Sequence, residues 1–282
     1  MPGNENTKSG ILQGLFICRT SELNPRILIS MNTAVILAAG MGIRLSPIVG
    51  IRPKGLLKIG DYPLLGRSIN MLKKHGIKKI FIVTGHQSEM LMSELEDFSS
   101  NIETHYCFNE NYEQSGSMHS LFMLQDILKE DFLLLESDLL FEEEALISIL
   151  NEQNNDVLLI SGKTNSGDEV WIYGKKNSGK ESLGLIKKIN KKIYKELETI
   201  GELTGISKIS YELFRKMCDH HIKKISFPNN FHYEECISDL CNQHEIKYLK
   251  MENLIWTEID DPQHYKRAVV EIWPLLEKKD VS

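Results

Sequence analysis

Apolar positions along the chain follow two regimes. Up to about residue 150, short apolar runs alternate with stretches whose apolar residues recur at helical spacing. Residues 34–37 form a buried strand, and Leu64, Leu65, Ile69, Met71 and Leu72 mark one face of a helix over 62–76 that Gly76 closes. A strand at 77–84, a helix at 87–98, a strand at 102–108, a helix beyond Ser117 and an apolar strand at 132–135 follow. This alternation predicts an α/β, Rossmann-like fold: three layers, with a mostly parallel (mixed) central sheet covered by helices on both faces. Beyond 150 the strands at 156–161, 169–173, 183–189 and 201–209 succeed one another without helices, which predicts an antiparallel or mixed extension. Helices at 211–220 and 233–243, a strand at 247–251 and a closing helix at 262–276, begun by Pro262, complete the chain.

The first strand runs into AVILAAGMGIRLSPIVGIRPKGLLKIG, residues 34–60. A dinucleotide fingerprint places a third glycine three residues after the second and starts a helix there; here Gly40 and Gly42 are followed by Arg44, Pro47 and Pro53, so the strand should end in a loop and a dinucleotide oxidoreductase is the least favoured class. Within the candidate nucleotide-binding run Leu37, Ala38, Ala39, Gly40, Met41 and Gly42, the small residues Ala38, Ala39, Gly40 and Gly42 let the backbone approach a ligand closely, and successive N–H groups in such a turn cradle anionic oxygens. Arg44 and Lys54 supply the cations a polyphosphate needs. Ligands on parallel sheets collect at the carboxyl ends of strands, where Gly85 also falls.

Three further segments carry candidate chemistry. Ser115, Gly116 and Ser117 open a helix, either as a simple cap and turn or as a loop holding the edge of a base. The strand at 132–135 delivers Glu136, Ser137 and Asp138; a triphosphate requires magnesium, which takes one or two protein carboxylates. Asp260 stands with Asp261 before Pro262, as a helix cap or as a second ligand. His220 and His221 are expected as an exposed pair at a helix end rather than a metal site.

LAAGMGIRL followed by PKGLL resembles the nucleotide-binding loop of the nucleotidyltransferases that join an NTP to a phosphorylated small molecule and release pyrophosphate. The resemblance implies a nucleotide-diphospho-sugar transferase-like fold, charge neutralisation by Arg44 and Lys54, a base-contacting loop at Ser115–Ser117, and Mg2+ held by Asp138 and Asp260. LESDL, SGDEV, GELTG, HYEE and WTEIDD, in this order, look like the 2-aminoethylphosphonate cytidylyltransferases, relatives of the choline-phosphate cytidylyltransferases. CTP and 2-aminoethylphosphonate are then the implied substrates. Alternatives are a choline-phosphate or sugar-1-phosphate nucleotidyltransferase and, outside the class, a non-catalytic nucleotide-binding regulator. An acceptor bearing an ammonium and a phosphonate needs carboxylates, for which Asp168, Glu169, Glu202 and Glu234 are candidates, each alternatively a solvated surface charge. Choline lacks N–H donors and prefers rings such as Tyr173, Tyr233 and Trp256.

Composition narrows the partners. The chain has 282 residues, a formal net charge of −6, 41% hydrophobic and 26% charged residues, which fits one folded domain and excludes a large nucleic-acid surface. Residues 1–30 are expected to be a flexible extension before Met31, and 31–282 a single domain with a nucleotide-binding half (31–150) and an acceptor half (151–282). The apolar run at 11–17 is too short to span a bilayer, so no membrane insertion is expected. Five cysteines without a CxxC pair suit free thiols in a cytoplasmic protein. A homodimer is left open, and the Gly162–Asp168 turn is the expected lid over the site.

Overall fold

The computed structural model describes residues 31–280, except 178, 179, 195 and 227; the extension expected over 1–30 lies outside the described residues. The chain runs β1 (Thr33–Ala38), α1 (Ser46–Val49), β2 (Lys58–Ile59), β3 (Tyr62–Pro63), α2 (Leu64–Lys74), β4 (Lys79–Thr84), α3 (Ser88–Ser99), β5 (Glu103–Phe108), α4 (Ser117–Phe122), β6 (Phe132–Glu136), β7 (Leu139–Phe141) and α5 (Glu144–Asn151). It continues with β8 (Val157–Ser161), β9 (Trp171–Asn177), β10 (Lys180–Asn190), β11 (Thr199–Ile209), α6 (Tyr211–Ile222), α7 (Tyr233–Leu240), β12 (Lys247–Met251), β13 (Trp256–Glu258), α8 (Pro262–Arg267) and α9 (Trp273–Asp280).

Strand periodicity explains the layers. Val35, Leu37, Phe81, Val83, Phe132 and Leu134 point into one core, with Met118 and Leu121 of α4, Leu213 and Met217 of α6 and Ile237 of α7. Their neighbours Ala34, Ile36, Ile80, Ile82, Leu133 and Leu135 point into the other, with Leu65 and Ile69 of α2, Leu91 and Leu95 of α3 and Ile149 of α5. Both faces of the sheet are therefore buried under helices, as the continuous apolar strands require.

The nine-stranded sheet has the order β5-β4-β1-β6-β11-β8-β12-β10-β9. Within β5-β4-β1-β6 every pairing is parallel. β11 then lies antiparallel to β6 and β8. β12 is parallel to β8, and β10 is antiparallel to both β12 and β9. Because β9 also pairs with β11, strands β11-β8-β12-β10-β9 close into a five-stranded ring. The parallel pairing expected of the nucleotide half and the antiparallel or mixed pairing expected of the second half are both found, but closure of the second half into a ring corrects the expectation of one open central sheet. Strands that follow one another without crossover helices pair antiparallel, and here they curl until the edge closes.

Other departures are local. The stretch after β1 contains 3-10 turns at Ile43–Leu45 and Lys54–Leu56 and the single turn α1, with Pro47 in its first turn. Leu45, Leu57 and Ile59 pin it to a third apolar cluster with Leu140, Ile259 and Ile272. The closing helix is interrupted by a π turn at Ala268–Ile272. Cys218, Cys236 and Cys241 are buried free thiols, Cys107 is a half-buried one, and Cys18 lies outside the described residues. Among the described residues no helix is long and apolar enough to cross a membrane.

The histidine pair at the end of α6 is not exposed as expected. Adjacent helical residues diverge, so His220 meets Asp239 at 3.0 Å while His221 turns inward and shares a 3.1 Å hydrogen bond with buried His119. Burial, and then His119 beside it, push His221 down to about 4, and burial lowers His119. The unfolded chain takes up protons near pH 6.5 that the folded pair refuses, so this contribution to stability is present above that pH and is lost as the pH falls towards 4. The fall in melting temperature from neutral to acidic pH should be smaller in His221→Gln than in the wild type, by on the order of 5 °C. Equal falls in the two proteins contradict this origin.

Candidate active site

Strand register brings the chemistry together. β1 lies between β4 and β6, with Ala38 beside Thr84 and Leu37 beside Glu136, so the glycine-bearing loop starts next to the acidic end of β6. β13 pairs antiparallel with β7, Glu258 opposite Leu139, and the N–H of Ile259 donates to the carbonyl of Asp138 at 3.0 Å. Residues 138 and 260, distant in sequence, are thereby neighbours. A cleft of about 360 Å³ opens at this junction, at the carboxyl ends of β1 and β6.

Lys54 is the centre of the cleft. It follows Pro53 on a 3-10 turn, and its ammonium donates to Asp138 and, at 2.5 Å, to Asp260. Gly42 packs against the lysine stem: it has φ 61°, and a Cβ there would lie 2.5 Å from Lys54 Cγ. Only glycine satisfies both conditions at low cost. Burial acts to lower the pKa of Lys54, but the carboxylates of Asp138 and Asp260 outweigh it and raise it, so the amine stays charged. Burial opposes ionisation of Asp260, yet Lys54 and Arg44 hold its pKa below the ordinary carboxylate value.

Asp260 does not cap α8. That task belongs to Asp261, whose side chain accepts from the N–H groups of Gln263 and His264. Asp260 is left facing Lys54 and, at 3.2 Å, Arg44. Arg44 also donates through Nη1 and Nη2 to Asp168 Oδ2 at 3.1 and 3.0 Å, and Lys191 Nζ donates to Asp168 Oδ1 at 3.0 Å.

The serine loop is zipped to the segment before α7. Gly116 donates its N–H to Asn229 and Met118 to Phe231, while a Cβ on Gly116 would lie 2.3 Å from the Phe231 carbonyl oxygen. The N-cap of α4 is Gly116, and neither serine caps this helix; Ser117 Oγ accepts from the N–H of Tyr233, and Ser115 Oγ accepts from Asn109 Nδ2. The capping explanation of these serines therefore does not apply to α4, and the loop edges line the cleft.

Of the residues singled out in the sequence, Leu37, Ala39, Gly40, Arg44, Lys54 and Asp138 line the cleft. So do Ser115, Gly116, Ser117, Ser137, Glu234 and Asp260. Ala38, Met41, Gly42 and Gly85 are not part of the cleft wall, although Gly42 packs against Lys54 and Gly85 against the Ala39 carbonyl and Tyr112, and Asp168 reaches it through Arg44. Tyr233 is fully buried and donates its hydroxyl to Glu136 Oε1 at 2.7 Å. Glu169, Glu202 and Trp256 are not brought to the cleft wall. Glu202 is buried where it accepts from the N–H and hydroxyl of Thr164 at 2.8 and 2.9 Å, and Trp256 packs into the core beneath β7.

Tyr112, Lys191, His232 and Glu258, which the sequence reading did not single out, complete the cleft with Glu136, which it placed at the strand end without a role. One signal was available. Glu136-x-Asp138 and Glu258-x-Asp260 share an i, i+2 spacing that sends both acids of an extended segment to one side. Burial, with Asp138 and Glu234 nearby, pushes Glu136 up to about 8. Burial, then Asp260 and Glu136, raise Glu258 well above the ordinary value, and burial raises Glu234. None of these three glutamates forms a salt bridge among the described residues.

The residues present fit a divalent cation. Asp138 is 7% exposed and its Oδ1 is buried without a hydrogen-bond partner among the described residues. Glu258, Asp260 and His264 bring one potential ligand atom each within 4.8 Å of one another. Carboxylate oxygens are the donors magnesium prefers.

A family model described as nucleotidyl transferase matches residues 33–259. The chain belongs to the nucleotidyl transferase family. Within it, the bifunctional protein GlmU of Methanococcus maripaludis (strain C5) is 35% identical over 121 residues, 43% of this chain and 28% of that protein. CMP-5'-(3-aminopropyl)phosphonate synthase of Streptomyces rubellomurinus is 30% identical over 113 residues, 40% of this chain and 18% of the relative. The chain thus spans less than a third of either curated relative's length. The structure of the inositol-1-phosphate CTP transferase from T. maritima shares the fold with a TM-score of 0.71 at 21% identity, covering 88% of this chain and 96% of that one.

Proposed function

We propose that the chain is a cytidylyltransferase that joins CMP from CTP to 2-aminoethylphosphonate, giving CMP-2-aminoethylphosphonate and pyrophosphate for phosphonate modification of a cell-surface lipid or glycan. The observation that carries this reading is the division of one cleft into a cationic loop with Arg44 and Lys54 and a wall of glutamates, Glu136, Glu234 and Glu258, that form no salt bridge among the described residues. The name of the Streptomyces relative, an aminoalkylphosphonate joined to CMP, supports it.

The acidic wall suits an acceptor with a primary ammonium, whose three N–H donors Glu234 and Asp168 accept, with Glu136 and Glu258 lining the same wall. A cation arriving beside Glu136 offsets the burial that holds its proton. A quaternary ammonium is less well served. Tyr173 is fully buried with its hydroxyl on the Lys192 carbonyl, Tyr233 is engaged by Glu136, and Trp256 is in the core, so these rings are not disposed as a cage.

In the reaction, an ionised phosphonate oxygen forms a bond to the α-phosphorus of CTP while the bond from that phosphorus to the bridging oxygen of pyrophosphate breaks in line. The nucleophile is already deprotonated at neutral pH, so no general base is required and catalysis consists of positioning and charge neutralisation. Lys54 and Arg44 donate to phosphate oxygens as negative charge shifts towards pyrophosphate. Asp138 and Asp260 would hold magnesium, which supplies electrostatic stabilisation of the phosphates when bound.

Rates with a panel of acceptors and nucleotides test this assignment. With CTP, kcat/KM for 2-aminoethylphosphonate should exceed that for phosphocholine or glucose 1-phosphate by about a hundredfold or more, because a site built for N–H donors rejects analogues lacking them. Faster turnover of phosphocholine or a sugar phosphate, or preference for UTP or dTTP, contradicts it.

A further inference from the structure

The Gly162–Asp168 turn is fastened at three points. Thr164 is held by buried Glu202. The carbonyl of Ser166 accepts from His264 Nε2 at 3.2 Å. Asp168 ties down the last point, with one oxygen on both terminal nitrogens of Arg44 and the other on Lys191. Asn165 and Gly167, with φ of 57° and 100°, shape a turn between these anchors. Asp168 is thus delivered to the rim of the cleft by an ordered loop, and it meets an arginine 124 residues away.

Arg44 is one of two cations on the loop assigned to the triphosphate, and its side chain is 56% exposed. Both of its terminal nitrogens are engaged by carboxylates, Asp168 and Asp260. A guanidinium has a fixed fork of donors. Phosphate oxygens that take that fork must displace a carboxylate from it, and Asp168, nearer the solvent and held on its other side by Lys191, is the one free to yield.

We infer that Asp168 is an exchangeable counterion that competes with the nucleotide for Arg44 and, once displaced, becomes a specificity-determining contact for the cationic end of the acceptor. This rests on the cytidylyltransferase reading, and it deepens it by linking the two substrates through one carboxylate. Nucleotide binding then creates the acceptor's anionic partner, so CTP and acceptor bind with positive coupling, and by linkage each strengthens the other equally. It also gives Asp168→Asn effects of opposite sign on the two substrates, which a merely structural residue does not produce.

Titration calorimetry of magnesium and CTP into the full chain measures the first effect. Asp168→Asn should bind CTP about threefold to tenfold more tightly than the wild type, the scale of one partly exposed ion pair. The same substitution in an Arg44→Ala background should leave CTP affinity unchanged. Steady-state kinetics should show a KM for 2-aminoethylphosphonate raised at least about tenfold in Asp168→Asn, with a melting temperature close to that of the wild type. Unchanged or weaker CTP binding in Asp168→Asn, an effect that persists without Arg44, or an unchanged acceptor KM overturns the exchange. Wild-type binding of CTP separates the two ideas: if it binds and Asp168→Asn does not differ, only the exchange fails. If the wild type does not bind CTP, the cytidylyl reading fails and the exchange with it.

Discussion

Replacing Lys54 by alanine is expected to lower kcat by about a hundredfold or more, the effect of removing one preorganised charge donor from a site where charge moves. The ammonium sits between Asp138 and Asp260, with the side chain only 14% exposed. The substitution also removes the cation between two carboxylates, leaving Asp260 with Arg44 alone and Asp138 without its ion-pair partner. Breaking a buried pair from one side typically costs about 3–5 kcal/mol, so a lower melting temperature is expected as well. Lys54→Arg separates the two effects: it keeps the charge and most of the stability, but its planar fork does not reproduce a point ammonium, and kcat should remain strongly reduced. Stopped-flow or discontinuous measurement of pyrophosphate release, alongside thermal unfolding, provides both readouts. A kcat within a few-fold of wild type in Lys54→Ala contradicts its placement.

The second large effect contrasts two adjacent aspartates. Asp260→Asn removes a carboxylate shared by Lys54 and Arg44 and should reduce kcat by about a hundredfold or more, as should Asp138→Asn. Asp261→Ala removes only the side-chain cap of α8, at a cost of about 1 kcal/mol and about 2–4 °C in melting temperature, with kcat retained. The resemblance pointed to Asp260 while leaving capping open for it; the hydrogen bond from Ile259 to Asp138 and the cap made by Asp261 settle which carboxylate faces the cleft. Equal loss of activity in Asp260→Asn and Asp261→Ala contradicts the division.

These contrasts mark what was legible in the sequence. The alternation of Val35 and Leu37 with Ala34 and Ile36 announced a strand buried on both faces, and the helical spacing of Leu64, Leu65, Ile69 and Leu72 announced α2. The loop from Gly40 to Lys54 and the acid at Asp138 were visible as local motifs, because glycines, cations and a carboxylate at a strand end constrain the backbone near themselves. Closure of the five-stranded ring was not visible, since the pairing of β9 with β11 joins segments whose local patterns are those of any half-buried strands. The same limit hid Lys191, which reaches the cleft through tertiary pairing alone, whereas Glu258 was signalled only by its spacing from Asp260. Glu202 misled for a related reason: its motif context was suggestive, yet the side chain anchors Thr164. The inward turn of His221 likewise depends on α4 supplying His119.

The most direct measurement is phosphorus NMR of the wild-type chain incubated with CTP, magnesium and 2-aminoethylphosphonate, repeated with Lys54→Ala. The wild type should consume CTP with equal accumulation of pyrophosphate and of a phosphonate–phosphate anhydride carrying cytidine, and Lys54→Ala should show neither product on the same timescale. A wild-type spectrum in which CTP persists unchanged, or equal product formation by Lys54→Ala, would contradict the assignment of this cleft.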